Sequence, residues 1–283
     1  CEVATINIGS CIVDTCNILS SGGTSDQNVG GIVGRSCKSD IIVIDNCDVK
    51  DSTLTSYSVN DQCANLGGIL AVTSFNGELY KISNCNVLRS NMFTLFGNLG
   101  GIMGANATPR NENIGEINNC IVDECNMESK AGVNDSSGSN SDTAGIMGLS
   151  DGGVDFSGCK VLNSTISAFG CNTAGIFASN AGSDRYECKL TNCIVGNTDI
   201  KSEREFKGYS SNNSTAGLVA YVDKIILKNC IVEKGNDRGS VIGKGSQISG
   251  GVAGAQYIDA SNCSIKGINI ECNSIASTCN WSS

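Results

Sequence analysis

The chain of 283 residues contains no histidine, a single proline and a single tryptophan. Without histidine it lacks the side chain that titrates near neutrality and most often serves as general base, nucleophile activator or metal ligand. Basic residues are also scarce, 19 Lys and Arg against 28 Asp and Glu, for a formal net charge of -9. Nucleic acid and anionic membrane surfaces, which attract Lys/Arg stripes, are therefore poor partners. No run of 18 apolar residues is long enough to span a bilayer. No charged n-region followed by an apolar h-region opens the sequence, so the chain is expected either to be soluble or to have its export and anchoring segments outside these residues. A helical period is missing throughout, and no linker divides the chain.

Glycine and cysteine are abundant instead, at 35 and 17 residues. So many cysteines suggest an oxidising compartment, and the odd number leaves at least one thiol without a partner inside the chain. Asn-x-Ser/Thr sequons at Asn106, Asn134, Asn163, Asn212, Asn213 and Asn280 are candidates for N-glycosylation on a secretory route.

Eight of the cysteines, Cys11, Cys47, Cys85, Cys120, Cys159, Cys193, Cys230 and Cys263, mark a repeat with separations of 36, 38, 35, 39, 34, 37 and 33 residues. Regular spacing in this range is the signature of a solenoid, in which stacked units share one core. Three residues before each marker stands Ile8, Ile44, Ile82, Ile117, Phe156, Leu190, Leu227 or Ala260. Two residues after it comes Val or Ile, and seven after it a further aliphatic residue, with Asp237 the single failure. The marker and the residue two after it follow the period of a half-buried strand, whereas positions minus three and plus seven are out of phase with them. A phase slip without loss of burial means a corner, and Asn46, Asn84, Asn119, Asn192, Asn229 and Asn262 supply it, since Asn tolerates left-handed backbone. Asn262 is thus expected as a corner residue despite its sequon.

A second element recurs as Gly30-Gly-Ile-Val-Gly34, Gly67-Gly-Ile-Leu-Ala71, Gly100-Gly-Ile-Met-Gly104 and, later, Ala174-Gly-Ile-Phe-Ala178. Its small residues predict a wall lying close to the opposite wall. Read as one strand, it would point Val33, Leu70, Met103, Met147, Phe177, Val219 and Ala253 outward, forming an apolar contact row that needs a cover. Polar connectors of 7 to 16 residues separate the plus-seven position from the glycine pair. Variable polar length between fixed strands is expected of loops on one face of a solenoid.

Gly-Gly-Ile-Val-Gly followed by Ile-x-Asn-Cys-x-Val resembles the GLUG motif, found in tandem in large secreted and surface proteins, including filamentous-haemagglutinin-like adhesins. The resemblance covers essentially all of the chain. It implies a coil-packing unit of an extracellular array and carries no catalytic residue with it.

The marker cysteines are expected to stack as reduced thiols in the core, because neighbouring coils hold them about 4.8 Å apart with parallel Cβ vectors. Cys16, Cys37, Cys63, Cys125, Cys171, Cys188, Cys272 and Cys279 lie off this ladder and are candidate disulfide partners; Cys1 is a candidate lipidated terminus. Zinc is disfavoured because neither Cys-x-x-Cys nor His occurs. A polysaccharide-acting site needs convergent carboxylates, for which Asp14, Asp123 and Glu124 are the nearest candidates. Asp223 and Asp151-Gly-Gly offer no spaced calcium loop, and Thr fills no single repeat position that would build an ice-binding row. No cofactor is expected. The fold expected is an all-β parallel solenoid of about eight coils over residues 1–283, a section of a longer array or fibre. The function expected is that of an extracellular structural or adhesive rod whose partners are copies of itself or cell-surface glycans and proteins. A polysaccharide-acting β-helix enzyme or carbohydrate-binding surface protein is the alternative.

Overall fold

The computed structural model describes residues 5–21, 27–36, 41–57, 64–73, 79–106, 114–130, 141–169, 172–180, 186–203, 214–244 and 247–273. Every regular element among them is a strand, and the strands stack in parallel as a β-solenoid. One coil shows the plan. Ile41–Asp45 lies on the first wall, Asp48–Lys50 on the second, Thr53–Tyr57 on the third and Asn65–Gly67 on the fourth, and Leu70–Val72 returns to the first. In later coils the return strand and the next first-wall strand fuse into single ten-residue strands, Val219–Lys228 and Val252–Ser261. This fusion explains why the first wall is one 13-stranded sheet, while the second and third walls hold eight strands each and the fourth seven. Setting the two end rungs aside, about six turns are enclosed by neighbours on both sides, against the eight coils counted from the markers.

The columns inferred from the repeat are the hydrogen-bonded register. Ile8, Ile44, Ile82, Ile117, Phe156, Leu190, Leu227 and Ala260 oppose one another in turn. Val49, Val87, Val122 and Val161 do the same on the second wall, and Leu54, Met92, Met127 and Ile166 on the third. These columns form one continuous apolar core. The failure at Asp237 resolves as an insertion: the second corner of that coil is four residues longer, and Val241 occupies the plus-seven column between Ile200 and Ile270.

Corners hold the four walls apart. At the first corner Asn46, Asn84, Asn119, Asn192, Asn229 and Asn262 all have φ of 52 to 55°, with Gly158 in the same column at 66°. A second left-handed corner follows four residues after the marker, at Thr15, Asp51, Arg89, Glu124, Asn163 and Asn197. For such side chains the left-handed region costs roughly 1–2 kcal/mol each. The cost is offset where the corner joins the ladder, for example Asp51 N–H to Leu88 O at 3.0 Å and Arg89 N–H to Asp123 O at 2.9 Å. The Arg89 guanidinium also grips the Asp51 carboxylate with two bonds of 2.7 Å.

The glycine element corrects one expectation. It is two short strands around a bend: Asn98–Gly100 ends the fourth wall, Gly101 and Ile102 turn, and Met103–Asn106 starts the return. The bend shifts the phase by one residue, so Ile102 and Met103 both face inward and are both fully buried. Leu70, Met147, Phe177 and Val219 are likewise core residues, and Val33 packs against the same core from the first rung. The supposed outer contact row is therefore interior, and at the last rung Val252 rather than Ala253 continues its column. The Phe177 ring lies 5.4 Å from that of Phe156, and Tyr80 Oη is 3.7 Å from Met147 Sδ. The predicted closeness of the walls does hold: a Cβ on Gly68 would fall 2.5 Å from Val87 Cγ2, and one on Gly101 would fall 2.7 Å from Val122 Cγ2.

Candidate functional site

Each marker cysteine sits just past a left-handed corner, where its thiol can donate to carbonyl oxygens of the first wall. Cys85 Sγ lies 3.1 Å from Ser83 O, Cys159 Sγ lies 3.2 Å from Ile117 O, and Cys230 Sγ lies 3.4 Å from Leu190 O. The eight markers are all free thiols; the six inner ones are buried, Cys11 is half-buried and Cys263 is exposed. Burial pushes the Cys47 thiol up to about 11, which disfavours the thiolate needed for metal binding or nucleophilic attack. The column packs and closes corners.

Four of the candidate disulfide cysteines are described, and all four are free. Cys125 belongs to a second ladder formed by the residue five after each marker: Cys16, Ser52, Ser90, Cys125, Ser164 and Thr198. Along it the backbone N–H of one rung donates to the hydroxyl of the next, from Cys16 to Ser52 at 3.1 Å, from Ser52 to Ser90 at 3.2 Å and from Cys125 to Ser164 at 3.1 Å. Cys16 and Cys125 are thus the thiol members of a Ser/Thr ladder. Cys188 is buried in the first wall beside Asn180 Nδ2 at 3.5 Å, and burial pushes its thiol up to about 11. Cys272 is exposed at the last described rung. Cys1, Cys37, Cys63, Cys171 and Cys279 lie outside the described residues.

This ladder is testable. Cys125→Ser is expected to change stability by less than about 1 kcal/mol, because Ser is the ladder's usual residue; loss of a real disulfide would cost about 2–5 kcal/mol. Ser164→Ala strands the buried Cys125 N–H and is expected to cost about 1–3 kcal/mol. Thermal unfolding of the two variants side by side separates the alternatives.

The sequons divide in the same way. Asn106 is buried, with its Oδ1 accepting from Thr73 Oγ1 at 2.7 Å and its Nδ2 donating to Ser150 Oγ at 3.4 Å. Asn163 is a left-handed corner that donates to Asp123 Oδ1 at 2.8 Å and accepts from Asn197 Nδ2 at 2.7 Å. Both amides are used within the ladder. Asn134, Asn212, Asn213 and Asn280 lie outside the described residues.

The carboxylate candidates do not converge. Asp14 and Asp123 share a column, but Lys50 and Leu88 stand between them. Three rung spacings of about 4.8 Å place them roughly 14 Å apart, beyond the separation of roughly 5–9.5 Å that glycoside hydrolysis requires. Asp14 pairs with Lys50 at 3.2 Å, Asp123 accepts from Asn163, and Glu124 forms the second corner.

One titratable residue was not singled out from the sequence. The fourth wall begins with a polar column, Asn28, Asn65, Asn98, Asp142 and Asn172, in which Asn65 Nδ2 donates to Asn28 Oδ1 and Asn98 Nδ2 to Asn65 Oδ1, both at 3.0 Å. Asp142 continues the column as a fully buried carboxylate. It accepts from Asn172 Nδ2 at 2.9 Å and Asn172 N–H at 3.1 Å, and also from the Ser179 hydroxyl. Burial pushes its carboxyl up to about 6, against the pull of these donors. The readable signal was its place: each member stands two residues before the repeated small pair, as in Asn98-Leu-Gly-Gly and Asp142-Thr-Ala-Gly.

Among the described residues, the large exposed apolar side chains gather mostly at the first and last rungs. At the first rung Ile6, Ile12 and Leu19 are exposed, and at the last Tyr257, Ile258, Ile265 and Ile270 are. Comparison with family models, with curated proteins and with solved structures gives no match for this chain.

Proposed function

We propose that the chain is an extracellular structural or adhesive module, a stiff rod that presents polar connectors to surface glycans or proteins. One observation carries the reading: in every coil the connector between the third and fourth walls leaves from the same edge, while the strands on both sides of it are locked in register. Tyr57 and Asn65 flank one such connector, Lys130 and Ser141 the described sides of the longest, and Glu203 and Ser214 another. Length varies only where the ladder does not constrain it, which is how a scaffold carries recognition loops. The apolar core, the thiol column and the amide ladders supply rigidity. The carboxylates of the enzyme alternative are occupied as corner and ladder residues. The resemblance to GLUG repeats points the same way.

The test is binding of the purified chain to panels of surface glycans and extracellular proteins, compared with a variant in which residues 131–140 are replaced by a short Gly/Ser segment. Binding that falls at least tenfold in the variant, with unchanged circular dichroism, supports the display reading. Turnover of a polysaccharide that disappears in Asp123→Asn would defeat it.

A further inference from the structure

The inward column of the fourth wall changes character part way along the chain. It reads Val29, Leu66 and Leu99 in the first three coils, all within the apolar core. In the coils marked by Cys120, Cys159 and Cys193 it reads Thr143, Thr173 and Thr215, and Ile248 restores an aliphatic residue after them. The three threonines are fully buried, yet none of their hydroxyls has a hydrogen-bond partner among the described residues. Ser202, buried on the third wall, carries a hydroxyl in the same condition. Its place is opposite the threonines. A Cβ on Gly243, which follows Ser202 in the third-wall register, would fall 2.8 Å from Thr215 Oγ1, so a third-wall residue abuts the threonine one coil earlier. The same offset sets Ser202 against Thr173, and Ala168 against Thr143.

The geometry points to a file of bound water inside these coils, threaded along Thr143, Thr173 and Thr215 and held from the third wall by Ser202. Four buried hydroxyls in one small region cannot go unpaired without a large loss of stability, and buried polar groups that the chain leaves unpaired are those that internal water satisfies. The threonines cannot satisfy one another. Stacked on successive rungs, their hydroxyls stand about 4.8 Å apart, well beyond the roughly 2.8 Å of an O–H···O bond. That spacing suits a bridge instead: a water about 2.8 Å from both hydroxyls of a pair subtends an angle of about 120° at its oxygen, close to its own bonding geometry. One water fits between Thr143 and Thr173 and a second between Thr173 and Thr215. The Thr173 hydroxyl donates to one and accepts from the other, and Ser202, beside Thr173, gives a third contact. Room comes from the same substitutions. Thr is one heavy atom smaller than the Leu of earlier coils, and Ala168 and Gly243 flank Ser202 with little or no side chain.

The file goes beyond the display function and does not depend on what the rod binds. Its test needs only the 283-residue chain and water as the probe. Crystals of the parent at high resolution should show the two bridging waters, each within hydrogen-bond distance of two threonine hydroxyls. In solution, oxygen-17 relaxation dispersion counts waters held for long times inside a protein. Thr173→Val keeps the shape of the side chain and removes its hydroxyl; it should lose the contribution of both waters and lower the thermal midpoint by roughly 2–6 °C. Thr173→Ser keeps the hydroxyl and should retain both waters. The sign of the midpoint shift is decisive, because a hydroxyl that is merely buried and unpaired would be relieved by Val and the midpoint would rise. A dry column in the parent crystal, an oxygen-17 signal unchanged by Thr173→Val, a midpoint that Thr173→Val leaves unchanged or raises, or waters lost equally from Thr173→Ser would each overturn the inference.

Discussion

Gly175→Ala is expected to destabilise the solenoid by about 3 kcal/mol or more, the upper end of what overpacking does, because the obstruction is backbone. Gly175 is one of a column with Gly31, Gly68, Gly101, Gly145 and Gly217 at the bend between the fourth wall and the return strand. A Cβ there would lie far inside contact of the Gly217 carbonyl oxygen and 2.6 Å from Val195 Cγ2. Neither neighbour can give way. The carbonyl belongs to the next rung's bend, and the valine is a buried member of the opposite wall's column. Expressed as an apparent midpoint, the loss corresponds to roughly 6–12 °C for a domain of this size, measured by circular dichroism on heating. Gly158→Asn is the control. Gly158 occupies the first corner at φ 66°, where six other coils carry Asn and the first carries Ser10, and its nearest obstacle is the movable side chain of Asn119. This variant is expected to stay within about 1 kcal/mol of the parent, since Asn is tolerated in the left-handed region. A similar loss from both substitutions would show that the column's tightness is not what makes glycine obligatory.

Asp142→Asn is expected to stabilise the chain by about 3 kcal/mol at pH 7. The carboxyl titrates at about 6 in the fold against an ordinary value of 3.8, and a difference of roughly two units corresponds to about 3 kcal/mol. The sign follows from proton uptake. Between about pH 4 and 6 the folded chain holds a proton that the unfolded chain has released, so stability falls as pH rises through that window. Below it both states are protonated and the penalty is gone; above it both are ionised and the full penalty persists. Asparagine extends the amide column on either side, from Asn98 to Asn172, without a charge to bury. Denaturant titrations at pH 4, 5, 6 and 7 should show the parent weakening by about 3 kcal/mol relative to the variant across the series. A parallel pair of curves would mean that the carboxylate is solvated or paired in a way the ladder does not provide.

Most of the architecture was legible because it is periodic. The marker cysteine, the aliphatic residues at minus three, plus two and plus seven, and the first-corner Asn each repeat one residue class in one column, and the register reproduces those columns. The second corner was harder to see, because its left-handed position is filled by Thr15, Asp51, Arg89, Glu124 and Asn163. Asp51, Arg89 and Asn163 bond across rungs while Thr15 bonds its own neighbour Asp14, so no single residue type marks the corner. The bend at Gly101 and Ile102 was missed for a related reason. A two-residue turn between two short strands reads as one strand, and Met103 and Phe177 were consequently turned outward when they belong to the core. Asp142 was hidden because a buried carboxylate is recognisable only once its column of amides is known. The thiols at Cys16 and Cys125 looked like disulfide partners until the serines beside them supplied the ladder.

The long corner of the seventh coil shows how the fold treats changes in chain length. Six residues, Lys234 to Gly239, separate Ile231–Glu233 from Ser240–Gly243. Arg238 fastens this excursion with its backbone N–H on Asn197 Oδ1 at 2.9 Å and its guanidinium on Asn163 O at 3.0 Å. Val241 then re-enters the column as if nothing had been added. Insertions and deletions at corners are therefore forgiven locally and do not propagate. A gene for such a protein can drift in length, or duplicate a coil whole, while its columns stay aligned, and kinship between such chains is better sought in the order of columns than in fixed residue spacing.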